Sequence, residues 1–217
     1  LSGQLGKDAL TSEAMYETMA LCVGCKGCKR ECPTGVDMAK MKVEFLHQYH
    51  RRHARSLRDR LVAYLPRYAR WASKLRGLAH LRDDVPGLAA LLEPVLGLSA
   101  RRSLPRWAAR PFEAREPLPP AESVTPGSSV LLLPDTFNAH LDPDILEAAE
   151  YVLSRTGLNV YRVAPPTGER ALCCGRTFLA SGMVDEARHE LERVTDAIRP
   201  YVERGIPLVG LEPSCLY

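Results

Sequence analysis

Gly127-Ser128-Ser129-Val130-Leu131-Leu132-Leu133-Pro134 decides the architecture of this chain. Four consecutive aliphatic residues between a glycine and a proline read as a buried strand, since the run is too short for a helix and both ends are punctuated. Downstream, Asp142-Pro143 offers an N-cap followed by a proline at the first helical position, and Gly157 suits the end of that helix. Asn159–Val163 predicts a second strand. Met183–Arg204 predicts a long helix with Val184, Ala187, Leu191, Val194, Ile198 and Val202 on its apolar face, closed by Gly205, and Pro207–Leu211 predicts a third strand. Strands alternating with helices imply a parallel sheet with right-handed crossovers, so residues 127–217 are expected to form an α/β domain.

Upstream the texture changes twice. Residues 86–126 hold eight of the 17 prolines, which predicts a linker or extended strap with one short helix near Leu88–Leu92. Residues 54–82 carry a helical stripe (Leu57, Leu61, Tyr64, Leu65, Tyr68, Trp71, Leu75, Leu78) interrupted near Pro66. Ahead of it, helices are expected over 9–20, capped by Thr11 or Ser12, and from Asp37 to about His53. The sequence therefore divides into 1–53, a helical module; 54–126, a basic helical segment with a proline-rich linker; and 127–217, the α/β part.

Charge follows the same division. Net charge is only +3, but residues 40–82 hold 12 Lys/Arg against Glu44 and Asp59, whereas 130–217 hold eight Arg against 13 acids. The basic-aromatic stretch is a candidate for peripheral contact with an anionic membrane or an acidic partner. No recognised nucleic-acid module accompanies it, and no nucleic-acid partner is expected. No apolar run approaches the 18 or so residues of a membrane-spanning helix. The chain begins with Leu1, carries no signal-peptide pattern, and is expected to be a piece of a longer polypeptide.

Four of the seven cysteines lie in Cys22-Val23-Gly24-Cys25-Lys26-Gly27-Cys28-Lys29-Arg30-Glu31-Cys32-Pro33. The spacing C-x2-C-x2-C-x3-C-P is that of a bacterial ferredoxin loop binding a [4Fe–4S] cluster. Thiolates this close wrap one face of a cubane, and Gly24 and Gly27 let amide N–H groups approach the sulfurs. Such N–H···S bonds, with Lys26, Lys29 and Arg30 nearby, stabilise an anionic cluster. Four tightly spaced thiols fit zinc poorly, because zinc sites use separated pairs. In two-cluster ferredoxins the last cysteine ligates the other cluster, so Cys22, Cys25 and Cys28 would share one cluster with a thiolate from another run while Cys32 serves a second.

Cys173-Cys174-Gly175-Arg176 follows the second predicted strand, and Cys215, in Glu212-Pro213-Ser214-Cys215, follows the third. Carboxyl ends of parallel strands lie on one side of a sheet, so Cys173, Cys174 and Cys215 are expected to meet beside Arg176. Three thiols there could hold a metal, a cluster or a redox pair. A thiol-dependent enzyme using Cys173 or Cys174 would need a base, and the one nearby histidine, His189, lies on the long helix. His47, His50 and His53, at i, i+3 and i+6, read as a polar helix face beside arginines.

These motifs resemble a known family. Cys173-Cys174-Gly175-Arg176 with Glu212-Pro213-Ser214-Cys215 is similar to the CCG domain of glycolate oxidase iron–sulfur subunits and heterodisulfide reductases. With Cys22–Pro33 and Gly35-Val36-Asp37-Met38-Ala39-Lys40, the chain resembles the iron–sulfur half of fused FAD-linked oxidases. These are dehydrogenases of D-2-hydroxy acids such as D-lactate, glycolate or D-2-hydroxyglutarate. The resemblance covers roughly 1–50 and 127–217. It implies a ferredoxin-type helical module followed by a Rossmann-like α/β domain, an FAD-binding part and a first ferredoxin motif upstream, and a quinone or cytochrome as electron acceptor. Thiols packed this tightly read as metal ligands in a reducing compartment, so a cytoplasmic location is expected, with peripheral contact at the inner membrane face through the basic-aromatic stretch. The CCG pattern has a further cysteine where this chain has Leu133-Pro134-Asp135-Thr136-Phe137, and another beside its last. The alternative from a different class is a zinc-stabilised interaction module without a redox role.

Overall fold

The buried strand at the centre of the sequence is also the centre of the sheet. In the computed structural model, which describes residues 11–113 and 116–216, β1 (Ser129–Leu133) is buried along its whole length. It pairs in parallel with β2 (Asn159–Arg162) on one side and β3 (Leu208–Gly210) on the other, giving the order β2-β1-β3. Alternate side chains of a strand point to opposite faces. Leu131 and Leu133 accordingly join Val163, Leu172, Val194, Tyr201 and Ile206 in one core, while Leu132 joins Phe112, Ala139 and Leu146 in another. The long helix α11 (Val184–Val202) covers the first face, and α8 (Thr136–Leu141) and α9 (Pro143–Arg155) cover the second.

Several expected boundaries move. Asp142 takes the cap position of α9 with Pro143 in its first turn, but its side chain makes no capping bond. α9 ends at Arg155 with Thr156 as its cap, and Gly157, at φ +84°, takes the position just past the helix that was expected of it. β2 and β3 each end one residue early. Short α8, α10 (Arg176–Ala180) and α12 (Pro213–Leu216) were not expected; each lies just beyond a strand or the loop that follows it. α8 exists because Asp135 accepts hydrogen bonds from the Phe137 and Asn138 amides.

In the N-terminal part, Ser12 caps α1 (Glu13–Ala20) by accepting from the Met15 amide. Residues 9 and 10 of the expected helix lie outside the described residues. α2 (Gly27–Glu31) forms inside the cysteine run itself. α3 (Met38–Tyr49) is capped by Asp37 as expected and stops before His53. The stripe over 57–82 splits into α4 (Leu57–Ala63), α5 (Leu65–Lys74) and α6 (Arg76–Asp84). Pro66 falls in the first turn of α5, where its missing N–H costs nothing. α7 extends over Leu88–Leu96, beyond the five residues expected.

The proline-rich strap is anchored. Buried Arg82 donates to the carbonyls of Leu98, Ser99 and Arg102. Further along, the Ala108 and Phe112 amides donate to the His140 and Ala139 carbonyls on α8. Two halves of the chain touch at Gly182, whose carbonyl accepts from Arg55 and bonds the His47 ring. A Cβ at Gly182 would lie 2.6 Å from the Leu46 Cβ, and its φ of +70° already favours glycine. No helix among the described residues is long and apolar enough to cross a membrane.

Candidate functional site

The first cysteine set is shaped by local turns. The Cys22 amide donates to the Met19 carbonyl at the end of α1, and the chain then turns through Gly24 (φ +71°) and Lys26 (φ +59°) into α2. Lys26 is the only non-glycine residue with positive φ among those described. α2 carries Cys28, and Cys32 ends it with its amide on the Cys28 carbonyl at 2.9 Å. The Met38 amide, at the first position of α3, donates to Cys28 Sγ at 3.3 Å. Its N–H belongs to the helix start, which has no internal acceptor for it. This is the kind of N–H···S bond the spacing anticipates, although it arrives from α3 and not from the loop. Lys42 Nζ holds the Cys22 carbonyl at 2.6 Å.

Cys25 is exposed and the other three thiols are half-buried; all four are free. Cys32 Sγ lies 3.1 Å from the Thr34 hydroxyl. That bond, with the amides of Val36 and Thr34, lowers the Cys32 pKa to about 7. Of the expected cations, Lys26 faces the site, whereas Arg30 pairs with Glu31 in solvent. Lys40, Lys42 and Arg176, not anticipated in that role, complete a cavity of about 610 Å³ whose rim includes Cys22, Lys26 and Glu44. Four cations face one carboxylate there, which suits an anionic occupant. The donor set, four thiols with an amide already aimed at one sulfur, fits an iron–sulfur cluster. Among the described residues no three His, Cys, Asp or Glu side chains stand close enough together to chelate an ion as they are.

The second set is assembled from distant segments. Loop 163–175 returns from β2 and is tied down before its cysteines. Arg170 bonds both carboxylate oxygens of Glu190 at 2.6 Å, and Arg193 donates to the Arg170 and Ala171 carbonyls. Glu190 is fully buried on α11 and also meets Arg67 of α5 at 3.5 Å. Gly175 then turns the chain with φ +80°; a Cβ there would sit 2.5 Å from the Ala187 carbonyl oxygen, so only glycine lets α10 and α11 approach this closely. From the other side, β3 leads into α12, where Glu212 accepts from the Ser214 amide and hydroxyl and Cys215 follows.

The three thiols meet as the strand arrangement predicts. Cys174 Sγ lies 3.0 Å from Cys215 Sγ, and Cys173 Sγ accepts from the Gly175 amide at 3.4 Å. Strands β2 and β3 are not neighbours, so the meeting takes place across the end of β1. The hydrogen bond to Cys174 and burial raise the Cys173 pKa steeply. For Cys174, the bond with Cys173 acts downward, but Cys215 and burial outweigh it and push the thiol up to about 11. Leu133, Pro134, Asp135, Thr136 and Phe137, the segment where the CCG pattern has a further cysteine, wall the cavity in which these thiols stand. That cavity holds about 10 Å³, room for about one water. The Asp135 carboxylate is engaged in capping α8. Space and donors together do not fit a multi-iron cluster.

Arg176 lines both cavities, a link that no spacing in the sequence signals. The histidines serve structure: His47 bonds Gly182, His50 bonds the His53 carbonyl, and His53 stacks on Tyr49. His189 is exposed and does not line the thiol cavity, so no histidine base accompanies Cys173 or Cys174 there.

No protein-family model matches the chain, and no solved structure does. It is 26% identical over 211 residues to D-2-hydroxyglutarate dehydrogenase of Pseudomonas putida and 25% identical over 211 residues to that of Escherichia coli K12. The enzyme of the same name from Pantoea ananatis is 22% identical over 214 residues. Each likeness covers 94% of this chain, which spans 20% of the length of these curated relatives.

Proposed function

We propose that this chain is the iron–sulfur portion of an FAD-linked dehydrogenase of D-2-hydroxy acids. Cys22, Cys25 and Cys28 hold a [4Fe–4S] cluster completed by a thiolate from another run, and Cys32 reaches to a second cluster. The observation that carries this reading is the C-x2-C-x2-C-x3-C-P run with the Met38 amide aimed at Cys28 Sγ. Matches along 94% of the chain to D-2-hydroxyglutarate dehydrogenases support the hydroxy-acid substrate class. When bound, such a cluster supplies one-electron relay between a flavin and an acceptor. The chain's own part is to hold and tune it: thiolates ligate, the Met38 amide bonds a ligand sulfur, and Lys26, Lys40, Lys42 and Arg176 set a positive surrounding that favours the reduced, more negative state.

In this reading residues 1–53 form the cluster module, 54–126 the basic segment and strap, and 127–217 the α/β part. FAD and the hydroxy acid bind in sequence upstream, and a quinone or cytochrome takes the electrons. Trp71, Leu75 and Leu78, exposed beside Lys74, support peripheral contact with a membrane carrying that acceptor. The test is anaerobic iron, sulfide and zinc analysis of the full-length protein with EPR after reduction. Iron and acid-labile sulfide in equal amounts, with loss of most of the reduced-state signal in Cys22→Ser, are expected. About one zinc per chain without sulfide would instead establish the zinc-stabilised interaction module.

A further inference from the structure

We propose that Cys174 and Cys215 form a reversible disulfide, making the second cysteine set a thiol–disulfide site. This inference does not depend on the cluster reading of the first set.

The two sulfurs stand 3.0 Å apart as free thiols. A disulfide needs about 2.05 Å. Two thiolates on one tetrahedral metal, with bonds of about 2.3 Å, stand about 3.8 Å apart. The surroundings decide between closing and opening. Closing needs no added volume. Opening by about 0.8 Å to admit an ion works against a cavity of only about 10 Å³. Its walls are fixed: Leu133 belongs to the central strand, and Arg170, Glu190 and Arg193 clamp the loop ahead of Cys173. Beyond Cys173, the segment that walls the cavity adds no ligand, because Leu133–Phe137 supplies no thiol and Asp135 is occupied.

The chemistry balances with an oxidising disulfide of the glutathione class. One protein thiolate attacks that disulfide, forming a mixed disulfide and releasing one small thiol. The other protein thiolate attacks the protein sulfur of the mixed disulfide, releasing the second small thiol. Two protein thiols lose two electrons and two protons, and one small disulfide becomes two thiols. The bond would tie the loop ahead of α10 to α12 through two cysteines 41 residues apart. Arg176, two residues beyond Cys174, walls the basic cavity beside Cys22, so the lock forms next to the first cysteine set.

The test equilibrates the full-length protein, prepared anaerobically, in mixtures of reduced and oxidised glutathione, traps thiols with an alkylating agent, and maps peptides without reduction. A Cys174–Cys215 linked peptide is expected, appearing as two alkylatable thiols disappear together and reverting with dithiothreitol. Cys215→Ser should abolish that peptide. If that variant does not fold, the paired loss and recovery of the two thiols in the unaltered protein decides the matter. A Cys173–Cys174 peptide alone, stable glutathione adducts without a cross-link, or thiols protected by stoichiometric metal until chelation would each overturn the proposal.

Discussion

Cys22, Cys25, Cys28 and Cys32 are gathered within eleven residues by one helical turn and two left-handed residues, whereas Cys174 and Cys215 meet across 41 residues through the order of three strands. The first set lies near solvent, with Cys32 at a pKa of about 7; in the second, Cys174 is driven up to about 11. The difference teaches that a cysteine's chemistry depends on what gathers it. A loop leaves its thiols open to an incoming group and to neighbouring hydroxyls and amides. A folded core brings sulfurs together by excluding water, which penalises thiolate.

The largest expected effect comes from removing what gathers the second set. Glu190→Gln leaves Arg170 and Arg193 around a neutral amide in a buried position. Breaking a buried ion pair by removing one partner costs about 3 kcal/mol or more. That is roughly a hundredfold in the folding equilibrium, read as a lower denaturation midpoint. Alkylation of Cys174 should speed up as the loop loosens, while Cys32 stays as it was. Equal acceleration at both would break the contrast, because the first set would then depend on the same clamp.

Next in size is the contrast itself. At pH 7.5 in metal-free, reduced protein, the thiolate fraction of Cys32 exceeds that of Cys174 by about 2,000-fold on their respective pKa values. The more basic thiolate is intrinsically more nucleophilic and regains about fiftyfold, leaving Cys32 faster by some tens of fold. Iodoacetamide labelling followed by peptide mass spectrometry measures the ratio. The Cys32 rate should rise through pH 7 and level off near pH 8, while the Cys174 rate is still rising at pH 10. Comparable rates at pH 7.5 would erase the distinction.

The smallest effect sharpens the cause. Thr34→Ala removes the hydroxyl beside Cys32 Sγ, so the Cys32 pKa should climb toward its ordinary value. Labelling of Cys32 at pH 7 should then slow by about two- to threefold, since higher nucleophilicity offsets part of the lost thiolate. Thr34→Ser should retain the original rate. An unchanged rate in Thr34→Ala would assign the low value to the backbone amides instead.

What the sequence disclosed follows the same line between local and assembled. The central strand, the parallel sheet, the Asp37 cap and the meeting of Cys173, Cys174 and Cys215 were legible, because each rests on a short pattern or on the geometry of crossovers. The break at Tyr64 was signalled by Pro66, but the one at Leu75 was not, since the apolar stripe with helical spacing runs straight through it. Nor was the strap's docking, which depends on Arg82 meeting the Leu98, Ser99 and Arg102 carbonyls. No short pattern marks Arg170 and Arg193, and only tertiary placement reveals them as the clamp that positions the second set. The glycine at 182 gave no hint that α3 passes within 3 Å of the place its Cβ would occupy.

The placement of β1 between β2 and β3 also sets an order of assembly. Pairing Ser129 with Asn159 closes a short loop through α9, whereas pairing Leu131 with Leu208 must wait for α9, β2 and the whole of α11. Loop closure over the longer span costs about 0.8 kcal/mol more in chain entropy, and on a growing chain β3 emerges after β1 and β2. The central strand therefore spends the late stage of folding with one ladder satisfied and the other edge bare, the condition in which a sheet most readily captures a stray strand. β3 brings α12 and its sulfur with it, so the encounter of Cys215 with Cys174 marks the moment that edge is closed.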